Sequence, residues 1–285
     1  MNLTSEPYDL VIIGAGVTGS ALLYLCSKYT DIKSIAVIEK YSAPAQVNSR
    51  PCQNSQTLHC GDIETNYSLE KAHTVRRATD MLRNYATSQP NADKIIFKYP
   101  KMVLGVGHKE RATLFKRYAE FHMHYPNLKL MSVDESREIE PNVADITRTE
   151  GISALGTTDE YTAVNFEALA NSFLEQARAC TLAVPGKVLK TWYGEQVTKL
   201  TKYKDIFYVT TTKHAFLSDA VVVNAGGHSL QLAHKLGYGL DYSVLPIAGS
   251  YYFTPHTLNG KVYTIQNDVL PFAAVHGDPD VDVPD

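Results

Sequence analysis

The fold is decided by the first forty residues, which contain Tyr8-Asp-Leu-Val-Ile-Ile-Gly14-Ala-Gly16-Val-Thr-Gly19 and, further on, Ser34-Ile-Ala-Val-Ile-Glu39-Lys40. The apolar run before Gly14 predicts a buried strand, and the glycines predict a sharp turn into a helix. In such a turn the first glycine allows the bend, the second lets a pyrophosphate approach the backbone, and the third lets the helix pack on the sheet. The second apolar run then predicts the next strand of a βαβ unit.

Glu39 ends this second strand, twenty residues after Gly19. A carboxylate at this position accepts hydrogen bonds from the ribose hydroxyls of an adenosine, whereas it would repel a 2′-phosphate. Because strand, glycine turn, helix, second strand and terminal acid occur together, the stretch predicts a dinucleotide site rather than a structural turn, and it disfavours NADP. The predicted cofactor contacts are Gly14, Ala15, Gly16, Val17, Thr18, Gly19, Glu39 and Lys40.

The composition is typical of a globular protein and gives no sign of a nucleic-acid partner. The 285 residues are 44% hydrophobic with a net charge of −3, and the basic residues are scattered along the chain. The four cysteines form no C-x-x-C pair, so free thiols are expected and a metal site is not. Since neither a signal peptide nor an apolar run of about 18 residues is recognised, we expect a cytoplasmic protein, with peripheral contact to the inner face of the cell membrane left open.

Two further stretches have the character of cofactor-binding segments. The connection from Tyr41 to Asn66 is long and polar, which is unusual in a compact domain unless the loop binds something; a plain surface loop is the alternative. Later in the chain, the strand Ala220–Val223 ends in Asn224-Ala225-Gly226-Gly227. These small residues would allow a second close approach of backbone to a cofactor.

The remaining segments predict helices and the strands of a mixed sheet. Helices are expected after Ser68 and after Asn165, and the stretches Val244–Phe253 and Lys261–Ile265 alternate as strands do. We therefore expect an α/β protein with two discontinuous domains. The predicted nucleotide-binding domain comprises residues 1–94 plus 166–240, and the interleaved mixed-sheet substrate domain comprises residues 95–165 plus 241–285.

This order of features resembles the two-dinucleotide-binding-domain flavoproteins of the D-amino-acid-oxidase type. More narrowly, three motifs look like those of malate:quinone oxidoreductases of the epsilon-proteobacterial kind, and the resemblance extends over nearly all 285 residues. The motifs are Asn54-Ser-Gln-Thr-Leu-His59-x-Gly61-x-Ile-Glu64-Thr-Asn-Tyr67, Glu140-Pro-Asn142 and Leu270-Pro-Phe-Ala-Ala-Val-His276-Gly-Asp-Pro-Asp280.

The resemblance implies an FAD-binding, Rossmann-like fold with noncovalently held FAD, oxidation of L-malate to oxaloacetate, and transfer of electrons to a membrane quinone. NAD is the alternative cofactor, but the polar loop and the second glycine junction would be superfluous in a simple nicotinamide-binding domain. By resemblance, Asn54, Ser55, Gln56 and Thr57 would lie along the flavin, Asn224, Ala225, Gly226 and Gly227 would lie beside the nucleotide, and Val197 would meet adenine through its backbone.

Oxidation of a 2-hydroxy acid requires a base for the hydroxyl proton. His276 is the first candidate, because an ordinary histidine titrates near working pH and Asp278 could orient it. The alternative for His276 is a histidine that is merely hydrogen-bonded at a strand end. His59 is the second candidate base, and Tyr161 and Thr162 are expected near the substrate.

Members of the family that the chain resembles are longer, and their later region carries a final glycine-rich FAD segment and an arginine-bearing substrate strand. Neither pattern is found before Asp285, so we expect a C-terminally truncated member. Two rival functions are an L-2-hydroxyglutarate or amino-acid oxidase of the same group and a catalytically silent nucleotide-binding fragment. The sequence leaves the quinone and the oligomeric state open.

Overall fold

The computed structural model describes residues 2–3, 6–143, 151–247, 249–255, 257–266 and 275–281. The strands are β1 (Asn2–Leu3), β2 (Tyr8–Ile13), β3 (Ser34–Glu39), β4 (Ile96–Lys98), β5 (Lys101–Val106), β6 (Lys129–Met131), β7 (Ile152–Thr157), β8 (Tyr161–Val164), β9 (Val188–Tyr193), β10 (Val197–Tyr203), β11 (Ile206–Thr211), β12 (His214–Val223), β13 (Lys261–Thr264) and β14 (His276–Gly277). The helices are α1 (Val17–Tyr29), α2 (Leu69–Thr87), α3 (Ala92–Ile95), α4 (Gly107–Phe121), α5 (Val133–Ile139), α6 (Phe166–Leu182) and α7 (Ser229–His234). No helix within the described ranges has both the length and the apolar composition that crossing a bilayer requires.

The chain divides into two compact units, each assembled from two stretches of sequence. The first unit comprises Met1–Asn54 and Phe166–Tyr251, and the second comprises Ser55–Asn165 and Tyr252–Asp285. These bounds differ from the predicted domain boundaries, because residues 55–94 lie in the second unit and residues 241–251 in the first. The assignment of a nucleotide-binding role to one unit and a substrate role to the other stays a prediction.

The first unit is built on one mixed sheet with the strand order β10-β11-β12-β2-β3-β9, and β1 pairs with β12. Strands β12, β2, β3 and β9 run parallel, whereas β10, β11 and β12 are joined antiparallel. Strands β2 and β3 are almost wholly buried, as expected of parallel strands inside an α/β layer. Helices α1 and α6 pack against each other, with the rings of Tyr24 and Phe173 5.6 Å apart.

The second unit contains a five-stranded sheet with the order β14-β13-β5-β7-β6, in which only β13 and β5 are parallel. Helix α4 packs on this sheet through Leu114 and Phe121, which share an apolar core with Val103 and Leu155. A separate ribbon is formed by β4 and β8, and Thr57 adds an isolated bridge to Ala163 of β8. The polar loop from Tyr41 to Asn66 is therefore attached to this ribbon through Thr57.

The predicted strand over Val244–Phe253 is wrong for the residues of that range that the structure describes, since no strand is assigned there. Its apolar side chains are exposed, with Leu245 at 75% and Tyr252 at 91% of their accessible surface. A strand requires a neighbour that accepts its backbone hydrogen bonds, and among the described residues the backbone of 243–253 has no such partner. Strand β13 lies where predicted, and residues 270–274 of the third motif lie outside the described residues.

Candidate functional site

The glycine turn between β2 and α1 depends on glycine at two positions. Gly14 has a φ of +105°, and a Cβ added to it would collide with the backbone carbonyl of Asn224. A Cβ on Gly19 would collide with the carbonyl of Gly14. The turn is therefore closed so tightly that side chains are excluded from its inner face, which is the arrangement that lets a phosphate group approach backbone N–H groups.

The N-cap residue of α1 is Gly16, which has no side chain to cap the helix. The hydroxyl of Ser49 accepts a hydrogen bond from Val17 N at 3.0 Å and so satisfies one of the helix's N-terminal donors. Ser49 is buried, and sequence reasoning missed it because a serine in a serine-rich loop carries no distinguishing pattern. Thr18 and Lys40 are exposed, and the Lys40 ammonium lies 4.9 Å from the ring centre of Tyr41.

Glu39 lies beside this turn and is 8% exposed. Its carboxylate accepts hydrogen bonds from Ala15 N at 2.8 Å and from Tyr41 N at 3.0 Å. The acid at the end of β3 is thus fixed against the glycine turn by two backbone donors. Each carboxylate oxygen has a second lone pair, so this arrangement leaves acceptor capacity for hydroxyl groups of a ligand.

The second junction, Asn224 to Gly227, meets the glycine turn directly. Strands β12 and β2 are parallel neighbours, and Asn224 N donates to the carbonyl of Ile13 at 2.7 Å. Among the described residues, the buried Nδ2 of Asn224 has no hydrogen-bond partner. Because a buried donor without an acceptor costs roughly 1–3 kcal/mol, its presence here favours a ligand acceptor at this point. Ala225 and Gly227 follow in the same turn, and Gly226 has a φ of +57°.

Val197 is the first residue of the edge strand β10 and pairs with Thr211. Its side chain is half-buried against the apolar core of the first unit. Because β10 is at the edge of this sheet, its backbone groups on the side away from β11 are not paired with another strand of the sheet.

The four residues predicted to lie along the flavin fall in different units. Asn54 ends the first stretch of the first unit and its amide donates to the carbonyls of Asn48 and Arg50 at 3.1 and 2.8 Å. Ser55, Gln56 and Thr57 belong to the second unit. There Gln56 bonds to Asp280 and Val281, and Ser55 and Thr57 accept hydrogen bonds from Lys261 of β13.

Gln56 has a φ of +53° and a buried side chain. Its Nε2 donates to Asp280 Oδ1 at 3.0 Å, and its Oε1 accepts from Val281 N at 2.7 Å. These two bonds tie the polar loop to the segment that follows β14. Both ends of the Gln56 amide are therefore engaged within the second unit.

A cluster of polar side chains surrounds the first candidate base. His276 Nε2 lies 3.3 Å from Asp278 Oδ2, and the His276 ring stacks on Tyr263 with ring centres 5.1 Å apart. Asp278 Oδ1 in turn lies 2.7 Å from the ammonium of Lys261. Thr57 joins this group through an oxygen–oxygen contact of 3.1 Å with the Tyr263 hydroxyl. The predicted pairing of His276 with Asp278 thus agrees with the geometry, whereas its role in catalysis stays a prediction.

His59, the second candidate base, is half exposed and makes a 2.8 Å contact from Nδ1 to Glu64 Oε1. Burial alone would raise the pKa of Glu64, but the hydrogen bond with His59 and the charge of Lys101 together hold it below the ordinary value. The partner of His59 is therefore a carboxylate that stays ionised. His59 and His276 each have a carboxylate partner of their own in the second unit.

The second unit also contains a group of buried charged side chains that the sequence did not predict, and one of them, Asp62, belongs to the polar loop. Lys101 in β5 forms ion pairs with Asp62 at 2.6 Å and Glu160 at 3.3 Å, and Glu160 pairs with Arg76 at 3.2 Å. Burial by itself would lower the pKa of Lys101, but these carboxylates outweigh it and raise that pKa. We call Asp62, Arg76, Lys101 and Glu160 the buried charge cluster. The sequence around Lys101 does not indicate that its ammonium pairs with buried carboxylates, because Asp62 and Glu160 are distant in sequence.

Tyr161 and Thr162, predicted near the substrate, lie in β8. Thr162 is fully buried, and its hydroxyl donates to Tyr99 O at 2.9 Å while accepting from Tyr99 N at 3.2 Å. Tyr161 is half-buried, with the Lys98 ammonium 5.3 Å from its ring centre. The Thr162 hydroxyl thus ties β8 to the segment after β4.

This chain matches a family model and curated relatives that are described as oxidoreductases, and solved structures that are named oxidases. The family model described as FAD dependent oxidoreductase matches residues 9–281. A probable malate:quinone oxidoreductase of Campylobacter jejuni is 42% identical over 98% of this chain and 63% of its own length. A malate:quinone oxidoreductase of Helicobacter pylori is 41% identical over 97% of this chain and 61% of its own length. The chain thus spans less than two thirds of the length of these curated relatives.

Solved structures with the same fold are more distant in sequence. An FAD-bound L-alpha-glycerophosphate oxidase from Mycoplasma pneumoniae has a TM-score of 0.68 at 18% identity, covering 97% of this chain and 69% of that one. A glycine oxidase from Geobacillus kaustophilus has a TM-score of 0.67 at 18% identity, covering 91% of this chain and 66% of that one. The predicted α/β flavoprotein fold is confirmed, and the match of the family model over nearly the whole chain shows that this protein belongs to the FAD dependent oxidoreductase family.

Proposed function

We propose that the chain binds FAD at the two junctions of its first unit and forms part of an enzyme that oxidises L-malate to oxaloacetate and passes the electrons to a quinone. The observation that carries this proposal is the 41–42% identity, over nearly the whole chain, to relatives named malate:quinone oxidoreductase. A quinone dissolved in the membrane would require peripheral contact with the membrane surface. The contact would be made from the cytoplasmic side.

The cofactor part of the proposal is supported by features that fit a dinucleotide. The turn at Gly14 and Gly16 offers backbone without side chains, and α1 directs its N-terminal N–H groups and positive dipole end toward the same place. The Glu39 carboxylate has remaining acceptor capacity for ribose hydroxyls. The buried Nδ2 of Asn224 requires an acceptor that the described residues do not supply. Together these groups would hold the pyrophosphate and the adenosine of FAD.

The catalytic part of the proposal assigns proton removal to His276. Oxidation of a 2-hydroxy acid removes the hydroxyl proton and the α-hydrogen, and the α-hydrogen leaves with the two electrons of its C–H bond. FAD, when bound, supplies the two-electron acceptor that also takes up the α-hydrogen. The imidazole of His276 would accept the hydroxyl proton, and Asp278, 3.3 Å from its Nε2, would orient the ring. With its proton on Nε2, the neutral ring carries its basic lone pair on Nδ1.

The proposal is tested by turnover with purified protein to which FAD has been added. We expect the absorbance of bound flavin, and reduction of a quinone-like dye when L-malate is supplied. The His276→Asn variant should lose at least about 100-fold in kcat, which is the usual contribution of a general base. His108→Asn is the matched control, because His108 is an exposed histidine of α4 in the same unit.

Three outcomes would contradict the proposal. Normal turnover by His276→Asn would reject the assigned base. Faster dye reduction with L-2-hydroxyglutarate, or release of peroxide with an amino acid, would replace malate with the rival substrate. Failure of the folded protein to bind FAD at saturating concentration would reject the cofactor assignment and favour a catalytically silent fragment.

A further inference from the structure

The second unit contains a buried ammonium that the proposed reaction does not use. Lys261, the first residue of β13, is 1% exposed. Its Nζ donates to Asp278 Oδ1 at 2.7 Å, to Thr57 Oγ1 at 3.1 Å and to the carbonyl of Ser55 at 3.3 Å. All three donor positions of the ammonium are thus occupied by acceptors of this chain, and Lys261 has no access to a substrate.

The two oxygens of Asp278 serve different partners. Oδ1 accepts from Lys261 at 2.7 Å and from the Tyr263 hydroxyl at 3.2 Å. Oδ2 is the oxygen that lies 3.3 Å from His276 Nε2. Thr57 Oγ1 also lies 3.5 Å from Oδ1. Because these contacts hold Oδ1 in place, the carboxylate plane is fixed and Oδ2 is directed at the imidazole. The orientation of His276 therefore depends on Lys261 and on the Tyr263 hydroxyl, which bond to Asp278 and not to the imidazole nitrogen.

Tyr263 contributes in two ways. It is the register partner of His276 in the β13–β14 pair, and its ring is stacked on the imidazole with an interplanar angle of 17°. Burial and the charge of Asp278 raise the pKa of the Tyr263 hydroxyl well above its ordinary value. The hydroxyl thus keeps its proton and remains a donor to Asp278 at all working pH values.

The lysine and the aspartate support each other. Burial lowers the pKa of Lys261, and Asp278 opposes that change through its charge and its hydrogen bond. Removing the carboxylate would leave a buried ammonium without its counter-charge, whereas removing the ammonium would leave the carboxylate charge directed at His276 without compensation. The positive charge therefore offsets part of the attraction that Asp278 exerts on a protonated imidazole.

We propose that Lys261 is a positioning residue, which acts through Asp278 to fix the His276 ring and to keep it ready to accept a proton. This inference rests on the proposed function, in which His276 removes the hydroxyl proton. Asp278 lies beside the His276 ring and Tyr263 of β13 stacks on it, whereas Lys261 of β13 contacts Asp278. Lys261 makes its contribution without touching substrate or cofactor.

The test uses the protein itself and does not require turnover. With ¹⁵N-labelled histidine, nuclear magnetic resonance follows the His276 ring nitrogens through a pH titration, and His276→Asn identifies the signal. In Lys261→Met we expect the midpoint of this titration to move to higher pH by on the order of 1 unit, because the uncompensated carboxylate stabilises the imidazolium. In Asp278→Asn we expect it to move to lower pH. A purely structural role would move both variants in the same direction.

Two further variants keep the test decisive if Lys261→Met does not fold. Lys261→Arg retains the charge and should leave the midpoint near that of the wild type. Tyr263→Phe keeps the stacked ring but removes the hydroxyl, which donates to Oδ1 and contacts Thr57, and it should move the midpoint upward by less than Lys261→Met. Lys98→Met is the matched control, since it also removes one lysine–aspartate pair of this unit, at an exposed site.

Failure of this inference can be told apart from failure of the proposed function. An unmoved or lowered midpoint in Lys261→Met, together with loss of turnover in His276→Asn, would overturn the positioning role and leave the base assignment intact. Normal turnover in His276→Asn would instead reject the base, and the positioning role in catalysis with it. Where turnover is present, Lys261→Met should lower kcat about tenfold while KM for malate changes little, because Lys261 does not contact the substrate.

Discussion

The glycine turn of the first unit and the buried charge cluster of the second unit are built from different materials. The turn is made of backbone, and its geometry depends on the absence of side chains at Gly14 and Gly19. The cluster is made of charged side chains that come from four separate places in the sequence. A backbone site is specified by local spacing, whereas a side-chain cluster is specified only once the sheet has formed. The two regions should accordingly respond differently to substitution and to pH.

The largest effect is expected from breaking the buried charge cluster. Lys101→Met removes an ammonium that is 3% exposed and pairs with Asp62 and Glu160. Since the carboxylates would remain buried without their partner, we expect the free energy of unfolding to fall by about 3–5 kcal/mol in urea denaturation. Lys98→Met, which removes an exposed pair with Asp159, should leave stability almost unchanged. Equal losses in the two variants would show that burial of the cluster contributes nothing.

The next effect concerns the glycine turn. Gly14→Ala combines an unfavourable φ with a collision against the Asn224 carbonyl, and we expect a loss of about 3 kcal/mol in the free energy of unfolding. Gly186→Ala is the control, because Gly186 has a φ of +84° but open space around its Cα. It should cost only about 1 kcal/mol, the penalty of the backbone conformation alone. Equal losses of free energy of unfolding in the two variants would show that a Cβ at Gly14 does not collide with the Asn224 carbonyl.

The smallest effect is the pH dependence of the cluster. Burial would raise the pKa of Glu160, but Lys101 and Arg76 outweigh it and hold that pKa below the ordinary value of 4.5. A depressed carboxyl pKa contributes stability that is present above the ordinary value and is lost as the pH falls through the folded value. Urea midpoints should therefore change little between pH 7 and pH 5 and decline from pH 5 to pH 4 and 3, and in Glu160→Gln this decline at low pH should be less steep. An equal slope in both proteins would contradict this origin of acid sensitivity.

The features that could be predicted from sequence are those with local spacing. The glycine turn, its strand and helix, and the buried acid at Glu39 follow from a run of about thirty residues whose pattern has a mechanical reason. The junction at Asn224 was predicted separately, and the sheet then brings it against Gly14 because β12 and β2 are parallel neighbours. The family was identified from motifs in the same way.

The features that could not be predicted depend on partners distant in sequence. Gln56 is a polar loop residue in sequence, yet its amide holds Asp280 and Val281 more than two hundred residues later. The alternating pattern over Val244–Phe253 indicates strand propensity, but propensity alone supplies no neighbouring strand to accept its hydrogen bonds. Ser49 and Lys101 are ordinary in their local context and become informative only through Val17 and Asp62.

The parallel pairing of β13 with β5 has a consequence for how this family can vary. The pairing places Lys261 directly beside Lys101, so that two lysines sit next to each other in the sheet with almost no access to water. Neighbouring like charges repel, and each is tolerable only while its own carboxylate is present. Substitutions at Asp62, Lys101, Lys261 and Asp278 should consequently be inherited as coordinated changes, and a lineage that loses one of these charges is expected to lose or replace its counterpart.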